Sequence, residues 1–321
     1  MSGQAYLGME KTPTTLLAAM RHFDIETAAR YVAAIKWPDG PFCPKCGSIK
    51  VGHIASRNRY QCKEKGCRKQ FSLTTDTIME STHLRLDQWL VAVWMIANCR
   101  NGVSSCEIAR TVGCKQQSAW HLLHRVRHIF AQANDGQISG TIEADSTLVG
   151  GIVKFMSHER RQEHGRKGPY SNKTIVHALR ERSTGNVRAE ILPQESGKAI
   201  RELMQKHVEE GSFVYTDSHA VYRNLGDLFM HATTNHKRGQ YVRGAGEIHS
   251  NGAENFFNCL RRSLKGTYIK ATAEHLQPYV DEAVFRFNVR KESEWTRFDT
   301  AMRLIVGKRL TYSELTGGAI R

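Results

Sequence analysis

A chain of 321 residues is long enough for two or more domains and a substantial core. Its net charge of +15, with a pI near 9.6, favours a polyanionic partner, nucleic acid before membrane. No apolar run approaches the roughly 20 residues that span a bilayer, and the opening Met1-Ser2-Gly3-Gln4-Ala5-Tyr6 lacks the charged-then-apolar pattern of a secretory signal, so a cytoplasmic chain with no membrane partner is expected.

Residues 1–40 read as an N-terminal helical segment. Leu16, Leu17, Met20 and Phe23, then Ala28, Ala29, Val32 and Ile35, follow helical spacing, and Trp37-Pro38-Asp39-Gly40-Pro41 breaks it. Residues 41–75 follow with eight Lys/Arg against one Glu and two close cysteine pairs, Cys43 with Cys46 and Cys62 with Cys67. Two thiolate pairs separated by a hairpin-length loop supply the four ligands of a closed tetrahedral site, so a structural zinc ribbon is expected. Gly47 and Gly66 fall where the turns at the cysteines need an unhindered backbone. Arg57 and Arg59 lie among the cations crowding this ribbon and are candidate phosphate contacts, with a solvated charged face as the rival reading.

Residues 84–131 read as helical. Leu86, Trp89, Leu90, Val93 and Trp94 form an apolar stripe that ends before Asn101-Gly102. Ser104 or Ser105 can cap a short helix, Gly113 turns the chain, and a longer helix from Gln116 to Phe130 follows, with Lys115, His121, Arg125 and Arg127 off its apolar face. That is the outline of a helix-turn-helix, in which Lys115 and Arg125 are candidate DNA contacts.

From residue 138 to 292 the pattern changes. Gly140 to Gly151 reads as a strand with Thr141, Glu143, Asp145 and Thr147 on one face and Ile142, Ala144 and Leu148 on the other. A carboxylate in a central strand needs a cation or donors beside it, whereas on a half-exposed strand it simply faces water. Lys154 to Lys173 reads as a flexible basic loop. Thr174–Arg180 and Val187–Leu192 form a hairpin around Ser183-Thr184-Gly185-Asn186, and residues 195–210 look helical. Phe213 to Ser218 is a buried-strand pattern with Asp217 at its carboxyl end, where open α/β sheets place their sites and where an acid can equally cap a following helix. Residues 229–249 are glycine-rich and basic. Asn251 opens a helix with Ala253, Phe256, Phe257, Leu260 and Leu264 on its apolar face; Glu254, Asn258, Arg261 and Lys265 line another. Asn251 with Glu254 three later also fits a capping box. Residues 274–290 form a last amphipathic helix, and 293–321 are a C-terminal tail without assignment.

Three acids in this order, one mid-strand, one at a strand end and one on a later helix, resemble the DDE-type transposases. The whole chain resembles one group of them, the Merlin-related, ISXO2-like bacterial insertion-sequence transposases with an N-terminal zinc ribbon. The segments carrying the resemblance are Trp37-Pro38-Asp39-Gly40 before the first cysteine pair, Asp145 with Gly150-Gly151, and Tyr215-Thr216-Asp217 followed by Tyr222. To these are added His249-Ser250-Asn251 with Glu254, Lys265-Gly266-Thr267-Tyr268 and Arg286-Phe287-Asn288, and thirty-six residues separate Asp217 from Glu254.

The resemblance implies an α+β or α/β chain whose third part is a ribonuclease-H-like catalytic domain, a mixed sheet flanked by helices. It implies catalytic, Mg²⁺-binding carboxylates at Asp145, Asp217 and Glu254; some relatives use Asn or His third, which keeps Asn251 and His249 open. It is this resemblance that selects Asp145 over its strand-mate Glu143. Two Mg²⁺ ions, replaceable by Mn²⁺, would serve strand cleavage and strand transfer, with Zn²⁺ confined to the thiolates. Arg261 and Lys265 would hold the scissile strand. The partners implied are double-stranded DNA, both terminal inverted repeats and target, and further copies of the chain in a dimer or larger assembly. A zinc-ribbon and helix-turn-helix regulator with a catalytically silent third domain is the alternative, and a structure-specific nuclease without strand transfer is a third reading.

Overall fold

The computed structural model describes residues 12–150, 157–159, 161–162, 172–234, 251–269 and 271–317. The chain divides into two compact units, one of residues 1–130 with 290–321 and one of residues 131–289. No helix among the described residues is long and apolar enough to cross a membrane.

In the first unit the N-terminal helical segment is two helices, α1 (Leu16–His22) and α2 (Ile25–Lys36). Asp24 separates them because its side chain accepts from the Thr27 amide and starts the second. The ribbon follows as three antiparallel strands, β1 (Val51–Ile54), β2 (Arg59–Cys62) and β3 (Gln70–Phe71). It has a small core of its own, where Trp37 and Phe71 pack with Cys43 and Cys62. Helix α3 (Leu86–Asn98) is buried all round from Trp89 to Ala97, more than its one apolar stripe promised. Ser104 caps α4 (Ser105–Val112), Gly113 ends it at φ +72°, and α5 (Gln116–Phe130) follows, as the sequence indicates.

The second unit is built on a five-stranded mixed sheet. Its strands are β4 (Thr141–Val149), β5 (Thr174–Glu181), β6 (Val187–Leu192), β7 (Phe213–Asp217) and β8 (Met230–Thr234), in the order β6-β5-β4-β7-β8. The β4–β5 and β5–β6 pairs are antiparallel, while β7 runs parallel to both β4 and β8. Helix α6 (Gly197–His207), capped by Ser196, covers one face; its Ile200, Leu203 and Met204 pack with Ile142, Ala144, Leu179 and Val214. Helices α7 (Asn251–Ser263) and α8 (Leu276–Asn288) cover the other, where Phe256, Phe257, Leu260, Val280 and Val284 meet Val176, Ala178, Val187 and Ala189. A mixed sheet with helices on both faces is the architecture implied for a ribonuclease-H-like domain. β8 is a strand the sequence reading passed over, because Met230-His231-Ala232-Thr233-Thr234 has no clear alternation.

Residues 291–321 belong to the first unit and carry α9 (Glu294–Arg303) and α10 (Tyr312–Thr316). Phe298 of α9 packs against Phe23, Tyr31 and Trp94, and the Tyr31 hydroxyl donates to Asp299. α9 is therefore part of that unit's core.

Candidate functional site

Two places gather ligating side chains. In the ribbon the four sulphurs of Cys43, Cys46, Cys62 and Cys67 lie within 4.8 Å of one another. The Cys43–Cys67 and Cys46–Cys62 Sγ separations are both 3.6 Å, close to the roughly 3.8 Å between thiolates on a tetrahedral zinc with ~2.3 Å bonds. The turns at the cysteines set this spacing. Gly47, at φ +73°, donates its amide to the Cys43 carbonyl, and Arg68 at φ +48° takes the corresponding left-handed position after Cys67. Gly66 needs no such freedom, contrary to its expected role, since its backbone is ordinary and the space around it is open. Among the described residues this is the one set of three or more such side chains whose ligand atoms already converge enough for an ion.

The second place is the carboxyl end of the sheet. The parallel β4–β7 ladder pairs Thr141 with Phe213, Ile142 with Val214 and Glu143 with Tyr215, and there it stops. Continued for two residues, the same register would set Asp145 opposite Asp217. The ladder thus ends just before two carboxylates would lie one strand spacing, about 4.8 Å, apart. β7 stays paired with β8 through Asp217–Thr234, so the break is on the β4 side. Glu254 lies on the exposed side of the first turn of α7. Asp145 accepts from the Ser146 amide at 2.8 Å, and Asp217 accepts from the His219 amide at 3.0 Å.

Electrostatics ties the three together. The Asp145 carboxyl is pushed up to about 7, chiefly by removal from water and then by the charges of Asp217, Glu254 and Glu195; only the Ser146 amide pulls it down. Glu195, just ahead of the helix-capping Ser196, is a fourth acid in this field. Its signal in the sequence was an acid between a strand end and a helix cap. Tyr222, buried beside the same acids, has its phenol pushed up by desolvation first and by Asp145, Asp217 and Glu195 after it.

Glu143, the strand-mate that sequence physics could not separate from Asp145, is occupied differently. It is fully buried. Its Oε1 accepts from Arg180 at 3.2 Å and Arg182 at 2.7 Å, and its Oε2 accepts from the Gly252 and Ala253 amides at 2.7 and 3.2 Å. The start of α7 is therefore held by a carboxylate from β4. At the other end of the face, the Arg261 guanidinium donates to Thr147 Oγ1. Glu143, Asp145 and Thr147 share one face, so Asp145 lies between two crosslinks from strand to helix.

Beyond Glu254 along α7, a cavity of about 670 Å³ is lined by Asn258, Arg261, Arg262, Lys265 and Gly266. Arg261 and Lys265 are exposed there. Of the other candidate cations, Arg57, Arg59 and Lys115 are exposed in the first unit. Arg125 is not: it is 5% exposed, its guanidinium donates to the Leu310 and Glu80 carbonyls, and it stacks over Trp89. Arg127 is buried too. The helical wheel set both off the apolar face; the C-terminal segment meets Arg125 through the Leu310 carbonyl. Asn251 is exposed at the start of α7; His249 and most of the 154–173 loop lie outside the described residues.

Comparison with known proteins gives two family matches, an ISXO2-like transposase domain over residues 137–288 and a transposase zinc-ribbon domain over residues 25–70. A protein of transposable element ISH50 from Halobacterium salinarum, itself uncharacterised, is 26% identical over 295 residues, covering 86% of this chain and 96% of that protein. Among solved structures, the HTLV-2 integrase catalytic core domain in complex with magnesium aligns at 11% identity and a TM-score of 0.29, covering 50% of this chain and 97% of that one. A simian T-cell lymphotropic virus intasome in complex with a PP2A regulatory subunit aligns at 10% identity and the same TM-score, covering 60% of this chain and 64% of that one.

Proposed function

From the premise that this chain carries an ISXO2-like transposase domain behind a transposase zinc ribbon, we propose that it is the DNA transposase of an insertion sequence, cutting and joining DNA strands at the element's ends. The observation that carries this reading is the electrostatic strain on Asp145. Removal from water first, and then three further acids, two of them from the matched motif, raise its carboxyl to about 7, so a positive charge beside it would relieve the site at neutral pH. A divalent cation is what such a set of oxygens accepts.

Asp145, Asp217 and Glu254 would hold a pair of Mg²⁺ ions, whose chemistry is activation of a water or 3′-hydroxyl and charge neutralisation at phosphorus. The chain's own groups do the remaining work. Arg261, fixed by Thr147, and Lys265 present cations along the cavity beside Glu254, where the phosphates of the scissile strand would lie. Arg57 and Arg59 on the ribbon and Lys115 at the turn into α5 would hold the DNA flanking the cut. The α4–α5 pair would act as the helix-turn-helix that reads the terminal repeat. Transposition joins two ends, so the active form is a dimer or larger assembly, working in the cytoplasm where the DNA lies.

The test is incubation of the full chain with labelled candidate element ends, with and without Mg²⁺. Mg²⁺-dependent nicking that D145N abolishes while DNA retention persists is expected. Binding without nicking would leave a zinc-ribbon regulator in its place, and nicking without joining to target DNA would leave a nuclease.

A further inference from the structure

We propose that Glu143 is the positioning residue of the acid site, the group that fixes the distance between Asp145 on the strand and Glu254 on the helix. This rests on the reading of those two acids as a metal-holding pair. Asp145 and Glu254 come from elements far apart in the chain, and they repel each other. Hydrophobic attraction between α7 and the sheet is non-directional and does not by itself aim one acid at the other. A directional tie is needed for that, and Glu143 supplies one. Two residues before Asp145 on the same strand face, its carboxylate accepts from Gly252 and Ala253, the two residues directly before Glu254. An anion at a helix N-terminus is stabilised by the unpaired amides and the helix dipole. Arg180 and Arg182 on the other oxygen compensate the charge of this fully buried carboxylate.

The residue at 252 shows how close the approach is. A Cβ added there would lie 2.5 Å from Glu143 Oε2 and closer still to the Arg180 guanidinium. Gly252 is the residue that lets the strand carboxylate reach the helix amides. With Arg261 tied to Thr147 two turns on, the face of α7 that carries Glu254 is fixed at both ends against the strand that carries Asp145. Glu143 itself touches no reacting group in this arrangement.

The experiment uses the full chain with its zinc and reads Mn²⁺ binding by the loss of the free-ion electron paramagnetic resonance signal, alongside thermal melting and zinc content. Two variants attack the same contact by different routes. E143Q removes the charge; G252A keeps it and pushes it away, at a helical position where alanine is otherwise the better residue. Both are expected to keep one zinc per chain and to bind Mn²⁺ about tenfold more weakly or worse, as loss of the groups that orient metal ligands does. Either variant, folded, binding Mn²⁺ as the parent does overturns the proposal, and should E143Q fail to fold, G252A decides. D145N separates the two levels. Parent Mn²⁺ binding indifferent to D145N would remove the reading of the acids and this inference with it; binding lost in D145N but intact in E143Q and G252A removes the inference alone.

Discussion

The cysteines of the ribbon and the acids of the sheet are assembled in opposite ways. Cys43 to Cys67 lie within one short stretch, their sulphurs converge to within 4.8 Å, and local turns at Gly47 and Arg68 set the geometry. Asp145, Asp217 and Glu254 come from β4, β7 and α7, and only the packing of a sheet and a helix brings Asp145 into the field of the other two. A thiolate set of this kind folds around its ion, so binding and folding are one event. An acid set of the second kind stores unfavourable charge in an already folded scaffold and releases it when a cation arrives. Stability and function are thus linked with opposite sign in the two places.

The largest way to break that contrast is at the ribbon. C62S removes a fully buried ligand, and with it a binding free energy of about 10 kcal/mol that is also folding free energy. Zinc content should fall from one to none, and amide protection should vanish from β1 and β2 while the β4–β8 sheet keeps its own. Protected ribbon amides in a zinc-free chain would show that the ribbon's apolar core suffices alone.

At the sheet the corresponding change costs activity, not fold. D145N should lower strand cleavage at least about a thousandfold, about 4 kcal/mol in the barrier, with far-ultraviolet dichroism and DNA retention unchanged. A variant that cleaves as the parent does would move the function away from this face.

Third in size is the response to acid. His177 is fully buried, donating to or accepting from Ser146 Oγ at 2.8 Å, and desolvation lowers its pKa from 6.5 to about 4. Between those values the unfolded chain binds the proton and the native one does not, so stability is lost as pH falls from 6.5 to 4, by up to about 3 kcal/mol. Denaturant titrations of parent and H177Q should show the stability difference between them shifting against the parent by that amount from pH 6.5 to 4, since contributions from other groups are common to both.

Asp145 gives the smaller effect, of opposite sign, because its carboxyl is only part-buried and water screens roughly half of a shift worth about 4 kcal/mol. Its pKa is raised from 3.8 to about 7, so the native state holds the extra proton between those values and metal-free stability falls as pH rises through them. Without divalent metal, D145N should exceed the parent by about 2 kcal/mol at pH 8, the difference closing near pH 4. Mg²⁺ should restore the parent and leave D145N unmoved. Equal stability at pH 8 would mean that the acids do not strain one another.

The difference between the two places also explains what could be read from the residues. The ribbon was legible because cysteine spacing is a local property, and the same holds for the Ser104 cap, the Gly113 turn and the 183–186 hairpin. In the sheet, alternation showed Glu143 and Asp145 on one face and could not rank them. Ranking them required knowing where Arg180, Arg182 and the Gly252 amide end up. Glu195 and the burial of Arg125 escaped for the same reason: each depends on a partner distant in sequence.

By itself the sequence determined the four-cysteine ribbon, the helical pair after it, most strands of the sheet and the order of the three acids, because periodicity, caps and ligand spacing act over a few residues. The tertiary structure alone decided which carboxylate is buried and tied and which is left facing its like. That choice is made by desolvation and by donors brought in from other strands and helices, and these arise only once the sheet and α7 have packed.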